Sequence, residues 1–464
     1  MYSGRISLSY HGCIYWLGVN IMAEHRPIGV DLFAGAGGMS LGFEQAGFDV
    51  LAAVEIDPVH SAIHQYNFPE CVVLPRSIQD ISGDLIREAS LIGDQKVDVV
   101  FGGAPCQGFS LIGQRVLDDP RNSLVKDFVR IVCELDAAYF VFENVKGLTV
   151  GKHKKFLFEL IETFEAKGYD VRQEWRVLNA ANYGVPQDRQ RLFLLGAKKG
   201  LEVPLYPEAA TVQPGKHSDL LNNAGPTCLD ALDDLPDAEL FDALCKTDET
   251  KVPNWTAHSP YAREMRCETP KAWHKGYQRK LNPEVLTSSY RTEHSSISRT
   301  RFAETEPGTV EPISRFFKLL PDGVSNTLRA GTDGARGAFT SPRPIHYKHN
   351  RCVTVREMAR LHGFPDWFRF NHTKWHGARQ IGNAVPPPLA RAVASAVIEA
   401  MDLSVARPKR MIELGDEALL RMDMTQAAKY WNVPPPLSKR TLKSGAKKRT
   451  QAQTEEARLK LLAS

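Results

Sequence analysis

The chain has no close pairing of cysteines. Its eight cysteines, Cys13, Cys71, Cys106, Cys133, Cys228, Cys245, Cys267 and Cys352, are scattered, with no Cys-x-x-Cys pair and no Cys/His spacing suited to zinc. That argues for reduced thiols in a cytoplasmic protein and against a structural metal. No apolar run reaches the length of a membrane-spanning helix. Residues 11–22 are mildly apolar and follow Arg5, but the run is short, is broken by Gly18 and Asn20, and has no clear small-residue cleavage site. Residues 1–26 are therefore expected to be an extension, either mis-started (with Met22 as the working start) or disordered. There are no internal repeats.

At 464 residues, with 43% hydrophobic and 24% charged residues, the chain has the composition of an ordinary soluble protein of two domains plus appendages. Its net charge of +4 is unevenly spread. Residues 201–250 carry two basic and eleven acidic side chains, and residues 251–350 carry sixteen and nine. From Leu437 to Ser464 there are eight Lys/Arg against two Glu. A basic stretch after an acidic one is compatible with a nucleic-acid face, although charge runs are more often solvated surface.

From Ile28 to about Gly200, short β-branched runs alternate with longer helical ones. The expected strands are Ile28–Phe33, Val50–Glu55, Val97–Gly102, Tyr139–Glu143, Val171–Leu178 and Arg191–Gly196, with helices near 38–47, 58–67, 121–136 and 154–167. This alternation implies βαβ units and a mostly parallel sheet covered on both faces. Residues 204–350 are rich in Pro, Ser, Thr and Gly and lose the periodicity, apart from a short helix near Thr227–Leu235 stopped by Pro236. Helical character returns at Thr354–His362 and at Pro388–Met401, the latter with apolar positions suited to packing on the first domain. Weakly amphipathic and low-complexity segments follow Ser404.

The segments with chemical content fall at strand ends. Ala104-Pro105-Cys106-Gln107 sets one thiol just past a buried strand, where open α/β sheets bind ligands. A lone cysteine is more often a small buried apolar residue. The run from Asp31 to Gly38 is a glycine-rich strand-to-helix turn, with G-x-G-G in place of the G-x-G-x-x-G of dinucleotide folds. Glu55, at the end of the next strand, is placed to accept hydrogen bonds from a ribose diol, and Asp80 to meet an adenine amino group. Together they suit a nucleoside cofactor without a pyrophosphate, S-adenosylmethionine better than NAD. Glu143 ends the strand beside the cysteine strand, either as an acid next to a nucleophile or as a solvated strand-end carboxylate. Arg189 and Arg191, two apart, face one side and suit a base or a phosphate, or else are surface arginines.

These segments, in this order and spacing, resemble the DNA cytosine-5 methyltransferases. The likeness rests on Asp31 to Gly38, Glu55, Pro105-Cys106-Gln107, Glu143-Asn144-Val145 and Gln187-x-Arg189-x-Arg191. It continues through Arg351 to Glu357, Arg360-Leu361, Gly363 to Asp366 and Gln380 to Pro387, and covers roughly residues 28–402. The resemblance implies a Rossmann-like S-adenosylmethionine-dependent α/β sheet with a second, irregular target-recognition domain. It divides the chain into a catalytic and cofactor-binding domain (27–200), a target-recognition domain (201–350), a supporting return segment (351–402) and a basic, largely flexible tail (403–464).

By the same resemblance, Cys106 attacks C6 of a flipped cytosine. Glu143 bonds N3 and the amine, Arg189 contacts O2, Arg191 supports Glu143 or the backbone, and Gln107 and Asn144 complete the catalytic set. Phe33, Ala34, Gly35, Gly37, Gly38, Glu55, Ile56, Asp80, Ile81, Pro105, Leu124 and Asn383 are expected to hold S-adenosylmethionine. Gln107 to Leu124 would be a mobile loop closing over DNA with Gln114 and Arg115, while Arg329 and Arg343 are candidate DNA contacts in the recognition domain. No metal is expected. The implied partners are double-stranded DNA and a separately encoded restriction endonuclease, in a cytoplasmic, nucleoid-associated monomer. The alternatives are a transfer-RNA cytosine-5 methyltransferase, against which the long recognition region and the missing Cys-Phe-Thr argue, and a catalytically silent DNA-binding relative. A Rossmann oxidoreductase lacks its glycine spacing.

Overall fold

The computed structural model describes residues 26–105, 122–151, 153–215, 223–332 and 340–434. Eight strands form one sheet: β1 (Ile28–Leu32), β2 (Asp49–Val54), β3 (Val72–Leu74), β4 (Val99–Gly102), β5 (Tyr139–Val145), β6 (Tyr169–Val171), β7 (Arg176–Asn179) and β8 (Gln190–Lys198). Their order is β3-β2-β1-β4-β5-β8-β6, with β7 also on β8. The first five pair in parallel, and β8 runs antiparallel to β5, β6 and β7. The strand expected over Val171–Leu178 is two strands along the same edge of β8. They flank a bulge in which Glu174 takes a positive φ of 64°.

Alternate side chains on each strand enter opposite cores, which is why these segments read as unbroken apolar runs. Val99, Phe101, Val141 and Phe193 face one layer, whereas Val100, Phe140, Phe142 and Leu194 face the other. Helix α1 (Gly38–Ala46) covers the first face, its Phe43 stacked on Phe101 at 3.6 Å. Helix α2 (Pro58–Asn67) follows β2. The second face is closed by α3 (Gly83–Ala89), α4 (Ser123–Glu134) and α5 (His153–Ala166), with Phe140 stacked on Phe164 at 3.8 Å. Of these, α3 had no counterpart in the sequence reading. It is a two-turn helix capped by Ser82, too short to show a period.

Beyond Pro204 regular structure is sparse: α6 (Cys228–Leu232), α7 (Pro260–Met265), α8 (Ser296–Glu304) and two-residue strand pairs. Capping boxes start α6 (Thr227 with Asp230) and α9 (Val355–Leu361; Thr354 with Glu357). Next come α10 (Lys374–Asn383) and α11 (Pro387–Ala400). The last of these lies on α1 so closely that a Cβ on Gly42 would sit 2.4 Å from the Ala390 Cβ.

Within the tail expected over 403–464 to be basic and largely flexible, the described part takes up structure: Met411–Ile412 pairs with Gln278–Arg279, and α12 (Ala418–Arg421) and α13 (Met424–Tyr430) pack on α2, while residues 435–464 lie outside the described residues. Leu419, Leu420, Ala427 and Ala428 are buried there. Helices this short carry too little amphipathic pattern to be recognised without their partner.

Candidate functional site

The strand order reverses between β1 and β4, and the segments singled out in the sequence meet at the carboxyl ends of these strands and their neighbours, as expected for a ligand site of an open α/β sheet. On the β1–β2 side the turn from Phe33 to Gly37 runs through positive φ at Phe33 (63°), Gly35 (57°) and Gly37 (101°). The three glycines differ in their surroundings. A Cβ on Gly37 would strike the Phe68 ring at 2.4 Å, and one on Gly38 the Val385 carbonyl at 2.6 Å. Gly35 faces space with nothing within 4 Å.

Glu55 closes this cradle: its two carboxylate oxygens accept from the backbone N–H of Gly35 and of Asp57, each at 2.8 Å. Burial raises its pKa, with His60 acting in the opposite sense. Ile56 beside it is 61% exposed. An anchored acid, an open glycine and an exposed apolar side chain fit a nucleoside lying across the turn.

The remaining cofactor candidates separate. Asp80 is exposed at the end of a helical turn that Arg130 secures through the carbonyls of Ile78 and Ile81, both at 2.8 Å. Ile81 is buried in the core on the α3–α4 face, so its expected cofactor contact is not supported by its side chain. Leu124 is half-buried on α4, and Pro105 is exposed at the end of the β4 segment. Asn383, the exposed last residue of α10, is brought beside Gly38 by the next two residues, which lie against that glycine.

On the β4–β5 side, Glu143 Oε1 takes the Arg191 Nε at 2.9 Å, across a diagonal of the β5–β8 ladder. The carboxylate stands directly over Gly103, where a Cβ would fall 2.4 Å from Oε2. Burial pushes the Glu143 pKa up against the opposing pull of Arg191 and Arg189. The Asn144 amide donates to the Ala104 carbonyl at 2.8 Å, tying the strand end that leads to Pro105 against β5. Cys106, Gln107, Gln114 and Arg115 lie outside the described residues.

Two arginines take other places than expected. Arg189 is 1% exposed, and its terminal nitrogens donate to the carbonyls of Leu328, Gly382 and Ala384 at 2.8–2.9 Å. It staples three chain segments, and a guanidinium so occupied is not presented to a base. Arg343 is likewise internal, bonded to the Val353 carbonyl and the Thr292 hydroxyl, and is no DNA contact. Arg329 is exposed. The spacing placed Arg189 on a face but could not show what lies across from it, and Arg343 was expected at DNA only as one of the arginines of the recognition domain.

The sequence reading passed over Ser40 and His64. The Ser40 hydroxyl donates to Asp31 at 2.6 Å and lies 3.0 Å from His64 Nε2, beneath the glycine turn. Burial raises the Asp31 pKa to about 8 and lowers that of His64 to about 3. The trace of the Asp31–Ser40 pair in the sequence is a nine-residue interval across strand, turn and helix, and His64, 24 residues beyond Ser40, leaves none. Among the described residues, no cluster of His, Cys, Asp and Glu is arranged to hold a metal ion, and no helix is long and apolar enough to cross a membrane.

Comparison with known proteins matches residues 29–399 to the family model of C-5 cytosine-specific DNA methylases. The chain is 54% identical over 408 residues to the Type II methyltransferase M.XorII of Xanthomonas oryzae pv. oryzae, covering 88% of this chain and 93% of that one. It is 36% identical over 376 residues to M1.HphI of Haemophilus parahaemolyticus, covering 80% and 86%. Among solved structures, one described as a prophage-encoded DNA modification methyltransferase of E. coli superposes with a TM-score of 0.65. The two are 32% identical over 81% of this chain and 100% of the other.

Proposed function

The chain belongs to the C-5 cytosine-specific DNA methylase family and is a DNA (cytosine-5-)-methyltransferase of the Type II kind, and on that premise we propose that it methylates a flipped cytosine within one short duplex sequence through a covalent adduct on Cys106. The observation that carries this reading is the buried Glu143 held by Arg191 over Gly103, next to the strand end that enters Pro105-Cys106.

In the proposed mechanism the Cys106 thiolate adds to C6, and the electrons of the C5–C6 double bond pass to C5, which takes the methyl group. Loss of the C5 proton and cleavage of the C6–S bond then restore the ring. Bound S-adenosylmethionine supplies the methyl as an electrophile on sulfur. Glu143, whose pKa burial raises, is suited to share a proton with N3 and so to draw charge from the ring as the thiolate adds. Arg191 holds one oxygen of Glu143 while Arg189 is spent on backbone carbonyls, so we assign Arg191 the O2 contact in place of Arg189. A side chain at residue 103 would displace the acid, which explains the glycine. A stacked base is out of reach, so the cytosine must leave the duplex.

Gly35, Glu55, Ile56, Phe33 and Asn383 would hold the cofactor, and residues 201–350, with Arg329 among them, would read the target. A cognate restriction endonuclease, a monomeric state and a cytoplasmic, DNA-associated location complete the proposal. The test is expression in a host without cytosine methylation, with single-base mapping of 5-methylcytosine. Methylation confined to one sequence, and absent with Cys106→Ala although that variant still binds DNA and cofactor, is the expected result. Turnover by Cys106→Ala would overturn the mechanism, and unmodified DNA from soluble, cofactor-binding protein would redirect the search to RNA.

A further inference from the structure

Residues 411–434 lie beyond the segment matched to the family, and they join two parts of the chain that are far apart in sequence. On one side are the glycine turn and α2. Leu419 and Leu420 share a buried apolar cluster with Ala36 of the turn and with Ala62, Ile63 and Tyr66 of α2. The Gly415 N–H donates to the Tyr66 carbonyl at 2.9 Å, and a Cβ on Gly415 would come 2.9 Å from the Tyr66 Cα. At the start of α2 the Trp431 indole donates to the Pro58 carbonyl at 3.2 Å. On the other side is the entrance to α10: the His372 N–H donates to the Leu420 carbonyl and the Asn371 amide to the Met422 carbonyl, both at 3.0 Å.

Pro58 follows Glu55 by three residues, and α10 ends at Asn383. The two walls of the cofactor pocket thus come from the first and last parts of the catalytic fold, and a third segment touches both. Leu420 does so within one residue, its side chain in the α2 cluster and its carbonyl on His372, and Met422 likewise packs on that cluster and accepts from Asn371.

We propose that residues 411–434 are an intramolecular clamp that holds the Glu55 wall against the Asn383 wall and thereby sets the affinity for S-adenosylmethionine. The proposal rests on the cofactor reading given above. The walls already meet where Ala384 and Val385 lie on Gly38, and a segment that braces them further before the ligand arrives removes from binding part of the cost of ordering them. The clamp residues are positioning residues, acting through α2 and α10 and not on the reacting atoms.

The experiment compares the full chain with chains ending at Pro434 and at Arg410, measuring KM for S-adenosylmethionine, KM for DNA and kcat. The chain ending at Arg410 is expected to show a KM for S-adenosylmethionine raised about tenfold, with kcat and KM for DNA within about twofold. The chain ending at Pro434 should keep the cofactor KM of the full chain. If the shorter chain fails to fold, Leu420→Ala and Trp431→Phe decide. A selective rise in cofactor KM supports the clamp, and an unchanged cofactor KM, or equal losses in every parameter, overturns it. Glu55→Ala separates the two readings. If it leaves cofactor binding intact, the cofactor reading falls and the clamp with it, whereas weakened binding there beside unchanged clamp variants sinks the clamp alone.

Discussion

The sheet between Ile28 and Lys198 is held mainly by apolar side chains, whereas the region beyond it is stitched together by buried guanidinium groups. In the sheet the backbone N–H and C=O groups pair with one another, so the two cores can be largely apolar. Beyond Pro204 much of the chain is irregular, and many of its carbonyls lie outside any helix or sheet ladder. There Arg266, Arg279, Arg343, Arg351, Arg356 and Arg360 are all buried. Arg356 alone donates to the carbonyls of Thr287, Pro365 and Phe368. An arginine carries five N–H donors and no acceptor, which suits it to satisfying loose carbonyls in a buried loop. Irregular backbone can therefore be made rigid, but only with buried charge that must itself be paired.

The comparison breaks most severely at Arg360, which is fully buried and bonded to both Asp234 and Asp366. Arg360→Ala leaves two carboxylates without their partner and is expected to cost about 3–5 kcal/mol in denaturant unfolding. Arg360→Lys should rescue little, because an ammonium cannot span both acids. Full rescue by lysine would mean that charge, and not the forked geometry, matters.

The next effect is in pH dependence, and the two regions should respond in opposite directions. Burial favours the neutral form of Glu357, but Arg351 outweighs it and holds the pKa down to about 2, against an ordinary 4.5. The stability it contributes is present above 4.5 and is lost as pH falls toward 2. Asp31, under the glycine turn, is raised by burial to about 8 from an ordinary 3.8, so its contribution is full below 3.8 and is lost as pH climbs through 8. Arg351→Met should flatten the acid limb of a stability-against-pH curve and Asp31→Asn the alkaline limb. The same limb flattened by both variants would refute the assignment.

The smallest effect belongs to the sheet. Ile131→Val removes one methylene from a largely apolar layer and should cost about 0.5–1.5 kcal/mol without changing the pH profile. A loss as large as that from Arg360→Ala would erase the distinction between the regions.

The legibility of the sequence follows the same division. The alternation of apolar runs located four of the five strands of the parallel part, with α1, α2 and α4, because burial on both faces leaves an unbroken local signature; the three-residue β3 (Val72–Leu74) had no counterpart among the expected strands. The short motifs placed Glu55, Glu143 and the glycine turn at strand ends, where the structure has them. Helix α3 and residues 403–434 were missed because short elements owe their stability to a distant partner.

The sequence by itself determined the order of the main strands and helices, the family, and which residue types stand at the carboxyl edge of the sheet, since all of these reside in local spacing. Only the tertiary structure decided that Arg189 is a staple and Arg191 the partner of Glu143, that Arg343 is internal, and that α2 and α10 share a clamp. The physical reason is that a side chain's role depends on what burial brings opposite it. Arg189 meets carbonyls more than 130 residues away, a distance over which residue spacing carries no geometric information.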